Sequence, residues 1–129
     1  MVVVWFERHS KISWVITVFG AIAIFYISTI TFGPGTPKTN LLSIFYHFFA
    51  FFFFALFLQI SSLKGQRRYS LFVIAFSLAV LYGISDELHQ YFVPGRSCNL
   101  FDVRTDTLGI MLASMIYLVR IELKNKKHL

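Results

Sequence analysis

The residues of this chain that could do chemistry are concentrated between positions 86 and 106. Asp86, His89 and Gln90 are spaced so that they share one face of a helix, and Glu87 lies about 100° around the axis from Asp86. A carboxylate beside an imidazole suits general acid–base chemistry. We therefore expect proton transfer to be the chemistry that this segment could support.

A turn follows this helical segment directly. Pro94 disfavours helix for Val93, and Gly95 permits a tight turn, so Arg96 is presented just above the end of the helix. An arginine guanidinium can bind a phosphate or a carboxylate through two parallel hydrogen bonds. Arg96 is therefore a candidate anion-binding residue.

Two other helices bring polar residues to the same level. Asp102 and Asp106 lie one turn apart at the start of the following helix, so they share a face. His47 lies about 9 Å below the outer end of the helix that begins near residue 41. Ionisable residues inside a membrane are costly and usually face a cavity or a partner. The convergence of three helices therefore predicts a site.

The composition indicates that the elements carrying these residues are membrane helices. Of the 129 residues, 57% are hydrophobic, 14% are charged and 16 are Phe, whereas soluble chains carry roughly 25% charged residues. The length suits a single domain over residues 1–129. The net charge of +6 falls in short clusters between apolar runs, a distribution typical of membrane proteins and not of nucleic-acid-binding proteins.

The apolar runs predict an all-α membrane protein with a bundle of four transmembrane helices. We expect the helices at about residues 12–32, 41–63, 70–91 and 103–121. The first should end at the helix breakers of residues 33–37. The apolar runs of the third and fourth are too short to span a membrane, so polar residues must extend both into the outer boundary of the bilayer.

Positive charge predicts the orientation of this bundle, because short cytoplasmic loops are enriched in Lys and Arg. One side has nine such residues, contributed by the N-terminal segment, the loop at 64–68 and the C-terminal end, and the other side has Lys38, Arg96 and Arg104. We therefore expect a multi-pass cell-membrane protein with both termini in the cytoplasm. The segment at 91–101, which contains the single cysteine Cys98, then faces outward.

Residues 87–96, Glu-Leu-His-Gln-Tyr-Phe-Val-Pro-Gly-Arg, followed by Asp102, Asp106 and Gly109, resemble the motif of the VanZ-like membrane protein family. That motif is approximately E-h-H-Q-x-F-x-P-G-R, a short gap and D-x-x-x-N/D-x-x-G, where h is apolar. His47 before its aromatic run also resembles the His-bearing second helix of the family.

This resemblance implies a four-helix membrane fold and a role at the cell envelope, since the family is named for a protein linked to glycopeptide (teicoplanin) resistance. It does not imply a reaction. The sequence departs from the pattern at Asp106, where many members have Asn, and at Ala113, where a second Gly is frequent. Residues 36–40 keep Lys38 but lack the Asp-Lys pair expected there.

The favoured hypothesis is a binding protein or enzyme that acts on an anionic, lipid-linked envelope substrate in contact with membrane lipids. We expect catalytic roles for Glu87, His89 and Asp106. The expected substrate-binding residues are Arg96, Gln90, His47, Asp86 and Asp102. The sequence leaves open whether the protein is an enzyme, and it says nothing of the oligomeric state.

Three other interpretations compete with this one. The charged motif could be a folding clasp in a structural or partner-binding protein, with Arg96 paired to Glu87, Asp102 or Asp106. The chain could be part of a transporter or flippase, which the almost uniformly apolar cytoplasmic halves of the spans disfavour. A divalent metal could bind the carboxylates and His47, but the chain has no ligand spacing as specific as His-Glu-x-x-His, so we predict no metal ligands.

Overall fold

The computed structural model describes residues 1–31, 41–96 and 98–126, which form five helices and no strand. They are α1 (Val2–Arg8), α2 (Ser10–Thr29), α3 (Leu41–Leu63), α4 (Tyr69–Phe92) and α5 (Leu100–Lys126). Among these described helices α2, α3 and α4 are long and apolar enough to cross a membrane. The chain is thus an all-helical membrane protein, as predicted. Helix α5 is longer but has charged residues near both ends, and it is not one of these three.

The distribution of polarity is the reverse of that in a soluble protein. Large apolar side chains point outward, with Phe19 at 71% and Val15 at 68% exposure, whereas Ser13 and Gln59 are completely buried. Burying polar groups while exposing Phe and Val to water would be unfavourable. A hydrocarbon environment removes this penalty, because the exposed side chains then contact lipid.

Helix α3 is the centre of the bundle and contacts each of the other four helices. Its most extensive interface is with α5. The two helices approach closely at Gly109, where an added Cβ would collide with the carbonyl oxygen of Phe48 and lie 3.2 Å from the amide nitrogen of Phe52. Ala113, one turn further along α5, is also completely buried. The pair of small residues therefore lets the two backbones meet.

The first span differs from the predicted range of residues 12–32. Helix α2 begins at Ser10 and ends at Thr29, and a separate short helix, α1, precedes it. The break lies at His9, whose ring nitrogen Nδ1 donates to the carbonyl oxygen of Trp5 at 2.8 Å while the ring stacks on the indole at 4.3 Å. The predicted stop at residues 33–37 and the departure at residues 36–40 lie outside the described residues.

Helix α1 is fixed to the opposite end of the bundle from the predicted site. Glu7 is buried and accepts hydrogen bonds from the Tyr117 hydroxyl, at 3.1 Å, and from the Arg120 guanidinium. The Tyr117 hydroxyl in turn accepts the backbone N–H of Gly65, at 3.0 Å, in the turn between α3 and α4. One carboxylate therefore links α1 to α5 and, through Tyr117, to this turn.

The remaining helices follow the predicted ranges, and α4 and α5 extend beyond them at both ends. Helix α3 has the predicted bounds, and α4 extends one residue beyond them at each end. Helix α5 begins three residues early because the side-chain oxygen of Asn99 accepts the N–H of Phe101 at 3.0 Å, as an N-cap does. Asp102 consequently lies in the first turn of α5, where the helix dipole favours a negative charge.

Candidate functional site

A histidine and two carboxylates from three helices meet at one end of the bundle. His47 of α3 donates through Nδ1 to Oδ1 of Asp106 on α5 at 2.9 Å, and the same nitrogen lies 3.9 Å from Oε1 of Glu87 on α4. All three side chains are at most 2% exposed. The structure therefore brings these three predicted site residues together, and we call them the His47 cluster.

Neutral donors orient Glu87 within this cluster. Gln90 donates to Oε1 of Glu87 at 3.1 Å, and the backbone N–H of Asn99 donates to Oε2 at 3.1 Å. Each carboxylate oxygen thus has a partner from outside the cluster. This arrangement fixes the plane of the carboxylate and turns Oε1 toward His47.

Asp86 belongs to a second group that joins α4 to α2. Its Oδ1 accepts the Ser28 hydroxyl at 2.5 Å, and its Oδ2 accepts the Gln90 side-chain amide at 3.0 Å. Nothing in the sequence pointed to Ser28, which lies in an apolar run and carries no motif. Its burial and its spacing of four residues from Ile24, whose carbonyl it also contacts, become informative only in the folded chain.

Arg96 lies in the predicted turn beside this group. The N–H of Arg96 donates to the carbonyl oxygen of Val93 at 3.1 Å, and Gly95 has a φ of 82°, which favours glycine. The guanidinium donates to Oε1 of Gln90 at 2.8 Å and to the carbonyl oxygen of Ile30 at 3.4 Å. Because the side chain is only half-buried, it forms the edge of the site nearest the solvent or headgroup region.

His89, which we expected to take part in catalysis, packs against α2. Its ring stacks on Phe25 of α2, with 4.3 Å between the ring centroids. Its Nε2 is buried and has no hydrogen-bond partner among the described residues. The imidazole that contacts the carboxylates Glu87 and Asp106 is that of His47, because its helix faces both α4 and α5.

Two carboxylate oxygens near the His47 cluster are buried without a hydrogen-bond partner in the described parts of the chain. They are Oδ2 of Asp106 and Oδ1 of Asp102. Asp102 is 4% exposed and interacts electrostatically with both His47 and Glu87. A buried acceptor without a donor is unfavourable, so these oxygens mark the place where a proton, a ligand or an ion would be stabilised.

The arrangement supports two kinds of chemistry. A histidine bonded to one carboxylate and close to a second can accept or donate a proton to a bound molecule. The same three residues each offer a ligand atom, and these atoms lie within 4.8 Å of one another, which also suits a divalent cation.

Cys98 lies beside the site but has no feature of a nucleophile. Its side chain is exposed. Desolvation raises the pKa of the thiol, and the nearby Glu87 and Asp102 carboxylates raise it further. A raised pKa lowers the thiolate fraction at neutral pH, which is the opposite of what a catalytic cysteine needs.

The other half of the bundle is less uniformly apolar than the sequence suggested. Gln59 of α3 is completely buried and donates to the Ser114 hydroxyl of α5 at 2.5 Å. Between this pair and the His47 cluster, the buried faces of α3 and α5 present Phe51, Ala55 and Ile110, which are all 0% exposed. The polar residues of the two halves are thus separated by an apolar layer.

These features define an all-helical membrane protein with a buried histidine–carboxylate cluster under an arginine-bearing turn. A family model described as VanZ/LLP1 matches residues 2–121, and the chain belongs to this family. The resemblance seen at residues 87–96 is therefore confirmed. Comparison with curated proteins and with solved structures gave no match.

Proposed function

We propose that this protein crosses the cell membrane four times, with both termini in the cytoplasm, and binds or processes an anionic, lipid-linked substrate of the cell envelope. Helix α5 would be the fourth span in a single domain. The site would then open at the outer surface, at the depth of lipid headgroups. The observation that carries the proposal is the buried His47 cluster, which Gln90 links to the half-buried Arg96.

The charges suit the two parts of such a substrate. Arg96 would bind a phosphate or carboxylate, because a guanidinium can form two parallel hydrogen bonds to either group and this side chain is only half-buried. Glu87 and Asp106 would exchange protons with the reacting group through His47, which contacts Asp106 at 2.9 Å. Asp86 and Gln90 would keep Arg96 and Glu87 in position.

Binding of a polyprenyl phosphate in nanodiscs tests the role of Arg96. We expect Arg96→Ala to weaken binding at least tenfold, whereas Arg104→Ala removes an exposed arginine from the first turns of α5 and should change it little. Equal weakening by both variants would mean that general positive charge is responsible.

Expression in a glycopeptide-sensitive bacterium should raise teicoplanin resistance, and Glu87→Ala should remove this effect without reducing the amount of folded protein.

The single cysteine provides a test of the orientation. Cys98 is exposed, so a membrane-impermeant maleimide should label it in intact cells. Because the pKa of the thiol is raised, labelling should be slow at neutral pH and should accelerate as the pH rises. A control protein with Cys98→Ser and Lys126→Cys should react only after the cells are permeabilised. The reverse pattern would refute the proposed orientation.

A second function, as a structural or partner-binding protein, is favoured by one observation. Ser28, Asp86, Gln90 and Arg96 form a continuous hydrogen-bonded chain that returns to Ile30 and so ties α2, α4 and the turn together. Exchanging the charges of Arg96 and Asp102, which interact electrostatically, separates the two functions. A double variant that regains the resistance phenotype supports a folding clasp, and one that stays inactive supports substrate binding.

A transporter or flippase is the third function considered. The apolar layer of Phe51, Ala55 and Ile110 between the two polar groups argues against a continuous path along the α3–α5 interface. Liposomes containing the protein should therefore show no flux of a labelled lipid phosphate, and a measurable flux would replace the proposal above.

A further inference from the structure

We propose that the His47 cluster binds one divalent transition-metal ion of the Mn²⁺ or Zn²⁺ type. The ligands would be Nδ1 of His47 and carboxylate oxygens of Glu87 and Asp106, whose ligand atoms all lie within 4.8 Å of one another. This inference deepens the proposed function, on which its meaning for catalysis rests, although ion binding itself needs no substrate.

The spacing of the three ligand atoms is close to that of a metal site. Ligands bound about 2.1 Å from one ion lie roughly 3 to 3.5 Å apart in octahedral or tetrahedral geometry. The Nδ1 atom of His47 lies 2.9 Å from Asp106 and 3.9 Å from Glu87, and the ligand atoms of all three residues lie within 4.8 Å of one another. Small rotations of these side chains would therefore seat an ion, which would replace the proton that His47 shares with Asp106.

The described carboxylates around the His47 cluster outnumber the cations that face them. Asp86, Glu87, Asp102 and Asp106 are all at most 4% exposed. Two groups that carry or can carry a positive charge are described as interacting with these carboxylates. They are the Arg96 guanidinium and the His47 imidazole. Because ionised carboxylates are strongly destabilised when buried without compensation, a doubly charged cation would offset this excess where it is greatest.

One carboxylate oxygen of the His47 cluster, Asp106 Oδ2, is buried and lacks a hydrogen-bond donor in the described structure. A metal ion satisfies a carboxylate oxygen without any donor. By contrast, both oxygens of Asp86 and Oε2 of Glu87 already have donors, from Ser28, Gln90 and Asn99. A bound ion would therefore satisfy the Asp106 oxygen that the described hydrogen bonds leave without a partner.

The chemistry of the donors indicates the class of ion. Ca²⁺ and Mg²⁺ prefer sites made only of oxygen ligands, whereas an imidazole combined with carboxylates suits Mn²⁺, Fe²⁺ or Zn²⁺. The donors from Gln90 and Asn99 to Glu87 would act as the outer hydrogen bonds that orient metal-binding carboxylates. A mixed site of this kind should bind Mn²⁺ and bind Zn²⁺ more tightly.

Direct binding tests this inference on the full chain in detergent after treatment with a chelator. Electron paramagnetic resonance of free Mn²⁺ should reveal one site per chain, and Zn²⁺ should displace the bound Mn²⁺. We expect Glu87→Gln and His47→Ala to weaken binding at least tenfold. The same chemical change at Glu122, on the distant end of α5, should have no effect.

Thermal unfolding with and without the ion compares each variant with itself, so it remains informative for a variant of low stability. Zn²⁺ should raise the unfolding midpoint of the wild type and of Glu122→Gln, but not that of Glu87→Gln or Asp106→Asn. A weak specific site would have a dissociation constant of about 100 µM. The inference is overturned if the wild type binds no Mn²⁺ at about this concentration, or if the cluster variants bind Mn²⁺ as the wild type does. Loss of phosphate binding with normal Mn²⁺ binding would refute the proposed function alone.

Discussion

Replacing Gly109 by alanine should destabilise the protein although alanine is the better helix former. The exchange favours a helix by about 0.8–1 kcal/mol. The new Cβ, however, would collide with the carbonyl oxygen of Phe48, which is backbone of α3 and cannot rotate away. Helices α3 and α5 would have to separate, and such overpacking costs about 1–3 kcal/mol.

The separation would also act on the site. His47 precedes Phe48 in α3, and Asp106 lies three residues before Gly109 in α5, so the 2.9 Å hydrogen bond between them should lengthen. Weakening a bond to a charged group adds roughly 1 kcal/mol. We therefore expect Gly109→Ala to lower the free energy of unfolding by about 2 kcal/mol in total. Unfolding by SDS in mixed micelles, followed by tryptophan fluorescence, measures this change.

Two other glycines serve as matched controls. A Cβ added at Gly20 of α2 would meet nothing within 4 Å, so Gly20→Ala should stabilise the protein by up to about 1 kcal/mol. A Cβ at Gly83 of α4 would make ordinary contact, at 3.4 Å from Phe51, and Gly83→Ala should be near neutral. If Gly109→Ala proves as stable as Gly20→Ala, the close approach of α3 and α5 is wrong.

Three further changes test other contacts of the bundle. Ser28→Ala removes the 2.5 Å donor to buried Asp86 and should cost about 1–3 kcal/mol in the SDS assay. A loss below about 0.5 kcal/mol, the usual effect of an ordinary surface substitution, would contradict the contact. Glu7→Gln weakens the attachment of α1, so the backbone amides of residues 2–8 should exchange faster while those of α4 stay protected. Unchanged exchange in α1 would show that its apolar contacts are enough to hold it against the bundle. Ser114→Ala leaves the side-chain N–H of Gln59 without its acceptor and should destabilise the protein. Adding Gln59→Leu should restore most of the lost stability, because both polar partners are then gone. Additive losses from the two substitutions would refute the pairing.

The sequence was sufficient for the positions of α3 and α4, because their apolar runs have clear ends. It also indicated the turn at Arg96, since Pro94 and Gly95 restrict the backbone locally. It was less accurate for the first span, where His9 breaks the helix through a bond to Trp5. That bond forms only when the backbone has already adopted the turn, so composition cannot predict it.

The spacing along each helix indicated which polar residues could lie near one another, but not how they pair. Helical spacing correctly grouped Asp86 with Gln90, yet it also grouped His89 with them, and the fold stacks that ring on Phe25 instead. His47 was predicted to lie at the level of the carboxylates, but the sequence did not say which of them it contacts. Whether it meets Glu87 or Asp106 depends on the rotation of α3 about its axis.

The sequence by itself determined that this chain is a helical membrane protein, which of its polar residues are candidates for a site and which family it resembles. These properties depend on the composition and on local spacing along one helix. Only the tertiary structure decided that His47 bonds Asp106, that Ser28 bonds Asp86 and that Glu7 is buried against α5. Such contacts join residues more than fifty positions apart, and they depend on how closely the helices pack. That packing is set by side-chain volumes on several helices at once, above all where Gly109 lets α3 and α5 meet.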